Sequence, residues 1–264
     1  MRTSAVLAAL LLCACSRVDF KQARYLDETG QSARAVKAYE SFLRRAPEGP
    51  ERAEALVRAA RLYAFAFGRC ERAVPLFEEA ARLQSFPEWA AQGKDGLLDC
   101  PDFFPLRGGA RWMYVDSETA GENMKLDIRM STGTRAEAAG AYYAGETRFR
   151  DYKRSYDKKD WTVWEYDGPS KAPILRYPFH AGNAWTARVA GKEVRYLIEE
   201  DSAPVGVKAG TFTGCLKVKS HPAGEPAWVY DYYCPGVGRV KTTIGVAEGE
   251  NPNTELAESW LLQN

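Results

Sequence analysis

Apolar and polar positions follow three rhythms along the chain. An unbroken apolar run from Ala5 to Leu12 stands behind a single Arg2. From Phe20 to about Leu83 apolar residues recur at helical spacing among Ala, Glu, Arg and Leu, with further helical material over 87–98. Past Pro101 the period falls to two: Met124, Leu126, Ile128 and Met130 alternate with Lys125, Asp127 and Arg129, the pattern of a half-buried strand. Similar short strands read at 111–118, 147–155, 160–166, 184–189, 193–200, 212–219, 227–233, 237–244 and 255–262. No stretch between them is helical and long enough for a crossover, so the pairing is antiparallel. The expected fold class is α+β and multidomain. Residues 20–100 form a helical domain, and residues 101–264 form an antiparallel β domain shaped as a curved sheet, half-barrel or sandwich.

The helical region repeats itself. A slide of 38 places lays Tyr25 on Tyr63, Gly30 on Gly68, Ala35 on Ala73, Tyr39 on Phe77 and Phe42 on Ala80, as a helix-turn-helix repeat requires. Each glycine falls at the turn, each alanine lets two helices approach, and each aromatic packs in the gap; Pro47 closes the second helix. The pattern resembles the tetratricopeptide repeat at Gly30, Ala35, Tyr39 and Pro47, and again at Gly68, Ala73, Phe77 and Ala80. It departs from that family in a period longer than about 34 residues, with the excess around 48–51, and in Ser85 where the family has proline. Leu56, Ala60, Tyr63 and Phe67 are expected to form one face packed on Leu76, Phe77 and Ala80. The resemblance implies a concave face for a protein partner, with Tyr25, Tyr39 and Tyr63 as contact candidates.

The β region also rhymes. "FPLRGGARWMY" and "YPFHAGNAWTA" share Pro-x-x-x-Gly-x-x-Trp, so Pro105, Gly109 and Trp112 answer Pro178, Gly182 and Trp185. Proline stands outside a strand, glycine permits the turn, and tryptophan lands within the strand that follows. With "VGVKAGTFTGCLKV" and "YYCPGVGRVK", the region from Phe104 to Ile244 resembles a family of secreted and lipid-anchored bacterial proteins of unassigned function. Such domains are similar to the curved sheets of lipoprotein carriers, which hold acyl chains. Both sides of "WTVWEY" and "AWVYDYY" are apolar, so these strands either lie between two layers or line a ligand cavity. The pocket candidates are Trp112, Trp164, Trp185 and Trp228.

Residues 1–14 read as a secretory signal, too short to span a bilayer. Leu12-Cys13-Ala14-Cys15 resembles the bacterial lipobox, which implies cleavage before Cys15 and acylation there, palmitate included, with 15–19 as the lipidated end and a short linker. Ser16, where the inner-membrane sorting pattern has Asp, points to the outer membrane facing the periplasm. In that oxidising compartment Cys70, Cys100, Cys215 and Cys234 are expected to be structural, and their clustering favours Cys70 with Cys100 and Cys215 with Cys234.

Lys plus Arg number 36 against 35 for Asp plus Glu, so no field draws in nucleic acid. Catalytic chemistry finds no motif. The two histidines are His180 and His221; His221 lies near Cys215, but a disulfide accounts better for that cysteine. No H-x-x-x-H, C-x-x-C or phosphate-cradling glycine loop occurs, and "VAEGENPNTE" lacks the alternation of a calcium loop. The expectation is a non-enzyme with no metal or cofactor, anchored to the membrane by lipid, that scaffolds an envelope protein partner. The alternative is a carrier or sensor of a lipid or other hydrophobic ligand.

Overall fold

The computed structural model describes residues 19–261, which divide into two compact units between Cys100 and Pro101. The signal and the lipidation candidate Cys15 lie outside the described residues.

The first unit is helical: α1 (described over 19–28), α2 (Ser32–Leu43), α3 (Pro50–Arg61), α4 (Cys70–Arg82) and α5 (Pro87–Asp99). The α1–α2 hairpin is closed by Phe20 on Phe42, with ring centroids 5.4 Å apart, and by an Arg45–Asp19 ion pair at 2.8 Å. Pro50 and Pro87 each open a helix in its first turn, where a missing N–H costs nothing. Gly93 and Gly96 let α5 lie directly on α4, because a Cβ at Gly96 would enter the Phe77 ring. Cys70, at the start of α4, is bonded to Cys100, just past the end of α5. One expectation fails. Phe67 is 38% exposed instead of joining Leu56, Ala60 and Tyr63, because residues Leu62–Ala66 form a π-helical turn. A π turn is wider than an α turn, so the face rotates and Phe67 swings toward solvent.

The second unit is one twelve-stranded antiparallel sheet, curled into a nearly closed barrel. Its strands are β1 (Arg111–Asp116), β2 (Lys125–Ser131), β3 (Ala136–Ala144), β4 (Thr147–Lys159), β5 (Thr162–Asp167), β6 (Ser170–Arg176), β7 (Ala184–Val189), β8 (Lys192–Val207), β9 (Gly210–Pro222), β10 (Trp228–Cys234), β11 (Gly238–Val246) and β12 (Gly249–Trp260). The spatial order runs β6 to β1, then β12 to β7. The two edges, β6 and β7, are therefore consecutive in the chain, and β1 and β12 pair at the middle of the sheet. β3 and β6 have no counterpart among the expected strands, and β12 begins six residues before the stretch expected there.

The two Pro-x-x-x-Gly-x-x-Trp stretches open the two runs of six strands. Gly109 and Gly182 adopt φ +83° and +90°, a conformation cheap only for glycine. Gly109 N–H donates to Met130 O at 2.7 Å, and Met130 N–H returns a bond to Ala110 O at 2.8 Å. Gly182 N–H donates to Ile198 O at 2.9 Å, and Ile198 N–H returns one to Asn183 O at 2.9 Å. Each indole then crosses to the other run: Trp112 Nε1 donates to Val237 O at 2.9 Å and Trp185 Nε1 to Pro173 O at 2.8 Å. The second bond spans β7 and β6, the two edges of the sheet.

The β1–β2 connection is organised by one carboxylate. Asp116 accepts Thr119 N–H and Thr119 O–H at 2.7 Å and Met124 N–H at 3.0 Å. Burial alone would raise its pKa, but these donors hold it below the usual carboxylate value. A folded-state pKa below the unfolded one gives stability that is present above about pH 4 and lost as pH falls through the folded value. Asp116→Ala is expected to lower stability by about 2 kcal/mol at pH 7. In urea titrations at pH 7 and pH 3, the gap from wild type should narrow at the lower pH; an unchanged gap refutes the carboxylate's role.

Candidate functional site

Three concavities bear on function, one in the β unit and two adjoining ones in the helical unit. Inside the barrel, cross-strand register places Trp112 beside Ile128, Tyr114 beside Leu126, and Tyr156 beside Glu165. Of these, Trp112, Ile128, Tyr114, Tyr156 and Glu165 line a cavity of about 30 Å³, completed by Phe104, Met130, Tyr152, Ile174, Tyr233 and Arg239 among others. Tyr156 O–H donates to Glu165 Oε2 at 2.9 Å, which spends its only proton, so Tyr152 O–H, 2.9 Å away, donates to Tyr156. Burial raises both phenols above their ordinary pKa, and they remain donors at neutral pH. Tyr114 O–H closes the opposite wall on Arg239 O at 2.9 Å. This chain of phenols and one carboxylate surrounds a space for a water-sized guest. Pockets that take drug-sized ligands are roughly ten times larger or more.

The four tryptophan candidates do not converge. Trp112 lines the cavity. Trp185, 5% exposed, is stacked on Tyr196 at 5.4 Å in a separate cluster with Leu175, Ile198 and Leu216. Trp164 and Trp228 are half-buried and lie under lysines: Lys171 Nζ sits 3.6 Å from the Trp164 ring centre, and Lys219 Nζ 3.7 Å from that of Trp228. Lys217 similarly covers Tyr230 at 4.2 Å. The second apolar side of these strands is thus covered by lysines whose ammonium groups lie over the ring faces as cation–π partners.

In the helical unit the tyrosine candidates separate too. Tyr39 is fully buried and its O–H donates to Asp27 Oδ2 at 3.2 Å. Tyr63, 7% exposed, donates to Glu40 Oε1 at 2.5 Å. Both serve the core and offer no contact stripe, because the helical spacing that aligns them points inward; Tyr25 alone is exposed, at 64%. The open concavity lies elsewhere. A hollow of about 410 Å³ is lined by Asp27 of α1, Val57, Arg58 and Arg61 of α3, Leu62, Phe65 and Ala66 of the π turn, and Trp89 and Gln92 of α5. A second hollow of about 160 Å³ shares Arg61, Phe65 and Gln92 with it and adds Phe77, Asp95, Gly96 and Asp99. Phe65, 59% exposed, stands on the wall common to both. Its position follows from the π turn, a feature that helical periodicity does not reveal.

The cysteines and histidines of the β unit have partners within the fold. Cys215 is bonded to Cys234, so no Cys–His pair exists with His221, whose Nε2 lies 2.8 Å from Glu225 O. His180 Nδ1 lies 3.0 Å from Ala181 O. Among the described residues no group of three or more His, Cys, Asp or Glu is placed to hold a metal ion, and no helix there is long and apolar enough to cross a membrane.

No protein-family model matches the chain, and no curated protein matches it. Solved structures similar to it include a protein of Bacteroides fragilis assigned as exported, with a YmcC-like fold, at a TM-score of 0.43 and 16% identity. Another is a protein of Parabacteroides distasonis assigned as a lipoprotein, at a TM-score of 0.36 and 16% identity. Each comparison covers 60% of this chain and 98% of the other.

Proposed function

We propose that this is a non-catalytic, lipid-anchored envelope protein whose helical unit docks a protein partner. The observation that carries the reading is the open hollow on α3, the π turn and α5, where Phe65 holds an aromatic ring in solvent beside Trp89. An exposed aromatic side chain on the wall of a concavity, with a second aromatic opposite, is a form that interaction sites take. The helices read as tetratricopeptide-like: the slide that aligns Gly30 with Gly68 also aligns the fully buried Ala35 with Ala73 and Tyr39 with Phe77. The lipobox places the anchor at Cys15, four residues before α1 is described, and Ser16 favours the outer membrane and a periplasmic position. The β unit serves as a rigid body in this reading, its interior filled by side chains around a cavity of about 30 Å³. A carrier would need an interior roughly ten times larger or more.

The test is a photocrosslinking amino acid placed at Phe65 in the acylated protein in its own cells, with exposed Phe149 of the β unit as control. A discrete protein adduct is expected from position 65, lost when Trp89→Ala is added, and none from position 149. No adduct at 65, together with a lipid-sized mass on the purified protein in native mass spectrometry, refutes the reading in favour of a carrier.

A further inference from the structure

The hollow in the helical unit has a charge as well as a shape. Arg58, on its rim, is fully engaged: its guanidinium holds Asp27 at 3.1 Å and Glu54 at 2.7 Å. Arg61, one turn further along α3, is exposed and makes no ion pair among the described residues. It stands where the two hollows meet and lines both. Asp27 is taken up by Arg58, so Arg61 is the guanidinium lining the larger hollow that no ion pair occupies among the described residues; it stands between an apolar floor, Val57 and Leu62, and two aromatic walls, Phe65 and Trp89.

Resting on the docking role proposed above, we infer that the partner is a peptide segment pairing a carboxylate with a bulky apolar side chain within one helical turn. The carboxylate is held by Arg61, and the apolar side chain lies between Phe65 and Trp89. Arginine presents a planar fork of donors that matches a carboxylate, and an aromatic wall beside it removes water from the pair without enclosing it. The open form favours a peptide over a free fatty acid. Two shallow adjoining hollows suit side chains projecting from a backbone, whereas an acyl chain there would leave most of its methylenes in water.

The inference is tested with the soluble chain beginning at Ser16, disulfides intact, used to select from a random displayed peptide library. The chosen peptides are then measured by fluorescence anisotropy against wild type, Arg61→Lys and Arg61→Glu. Arg61 is exposed and unpaired among the described residues, so these variants are expected to fold. Selected sequences should be enriched in Asp or Glu within one turn of Phe, Trp or Leu. Arg61→Glu should weaken them about tenfold or more and turn the preference toward Lys-bearing peptides, while Arg61→Lys loses part of the affinity. Peptides that bind in the hollow, compete with one another, lack acidic residues and ignore Arg61→Glu overturn this inference and leave the docking role standing. If no peptide is selected above a scrambled background, or if a free fatty acid binds in its place, both fall.

Discussion

Trp112→Ala and Trp185→Ala should each destabilise the β unit by about 3–5 kcal/mol. Both indoles are nearly buried, at 4% and 5% exposure, and neither site has space to collapse: Trp112 already borders the cavity, and Trp185 is stacked on Tyr196 with its ring plane tilted by 2°. Each also holds a carbonyl of the other six-strand run, Val237 O or Pro173 O. Truncation therefore removes apolar burial and leaves a carbonyl without its donor. Trp→Phe at either position separates the two effects: it keeps most of the burial and should cost about 1–2 kcal/mol from the lost N–H. Trp164→Ala is the control, since that half-buried ring under Lys171 should lose no more than about 1 kcal/mol. Urea midpoints of the five variants and wild type give the ranking. A Trp185→Ala protein within about 1 kcal/mol of wild type shows that the β6–β7 edges meet without the tryptophan, and rejects its role in closing the barrel.

The launching stretches were legible because their chemistry is local. Proline, glycine and tryptophan at fixed offsets determine a turn and a strand start whatever surrounds them, and the bonds of Gly109 and Gly182 match that reading. β3 was not legible, since "AEAAGAYYA" has the composition of a helix or a loop. Its extended form is imposed by neighbours on both sides, and Gly140 is required there because a Cβ would strike the backbone of Asp127 on β2. β6 was obscured by Pro173, which reads as a break and is tolerated because β6 is an edge. The hydrogen bond from Tyr156 to Glu165 joins cross-strand partners in the β4–β5 hairpin and was within reach once that hairpin was drawn. The hollow was not. Arg61, Phe65 and Trp89 come from three elements, and Phe65 reaches its wall through a π turn that leaves no mark in a sequence of otherwise regular helical spacing.

The helical unit should depend on its disulfide more heavily than the β unit depends on its own. Cys70 and Cys100 close a loop with a separation of 30 residues, for which chain entropy gives about 3–4 kcal/mol. Among the described residues the unit has five helical segments and a core rich in alanine, and a core of that size supplies only a few kcal/mol net. Removing the bridge therefore takes away a large share of the total. In the β unit, Cys215 and Cys234 stand 19 residues apart on β9 and β10, which a full antiparallel ladder already joins. The bridge there restrains a hairpin that many other strands also hold. Cys70→Ser with Cys100→Ser is expected to abolish the cooperative thermal loss of helical ellipticity or move it well below wild type, while amide exchange in β8–β11 stays slow. Because α3 and α5 carry the two sides of the hollow, the same variant should lose peptide affinity in step with its helices, with no residue of the hollow altered. If helix and peptide binding both persist, packing of α5 on α4 through Gly93 and Gly96 holds the unit by itself, and the bridge is a restraint on a structure that already stands.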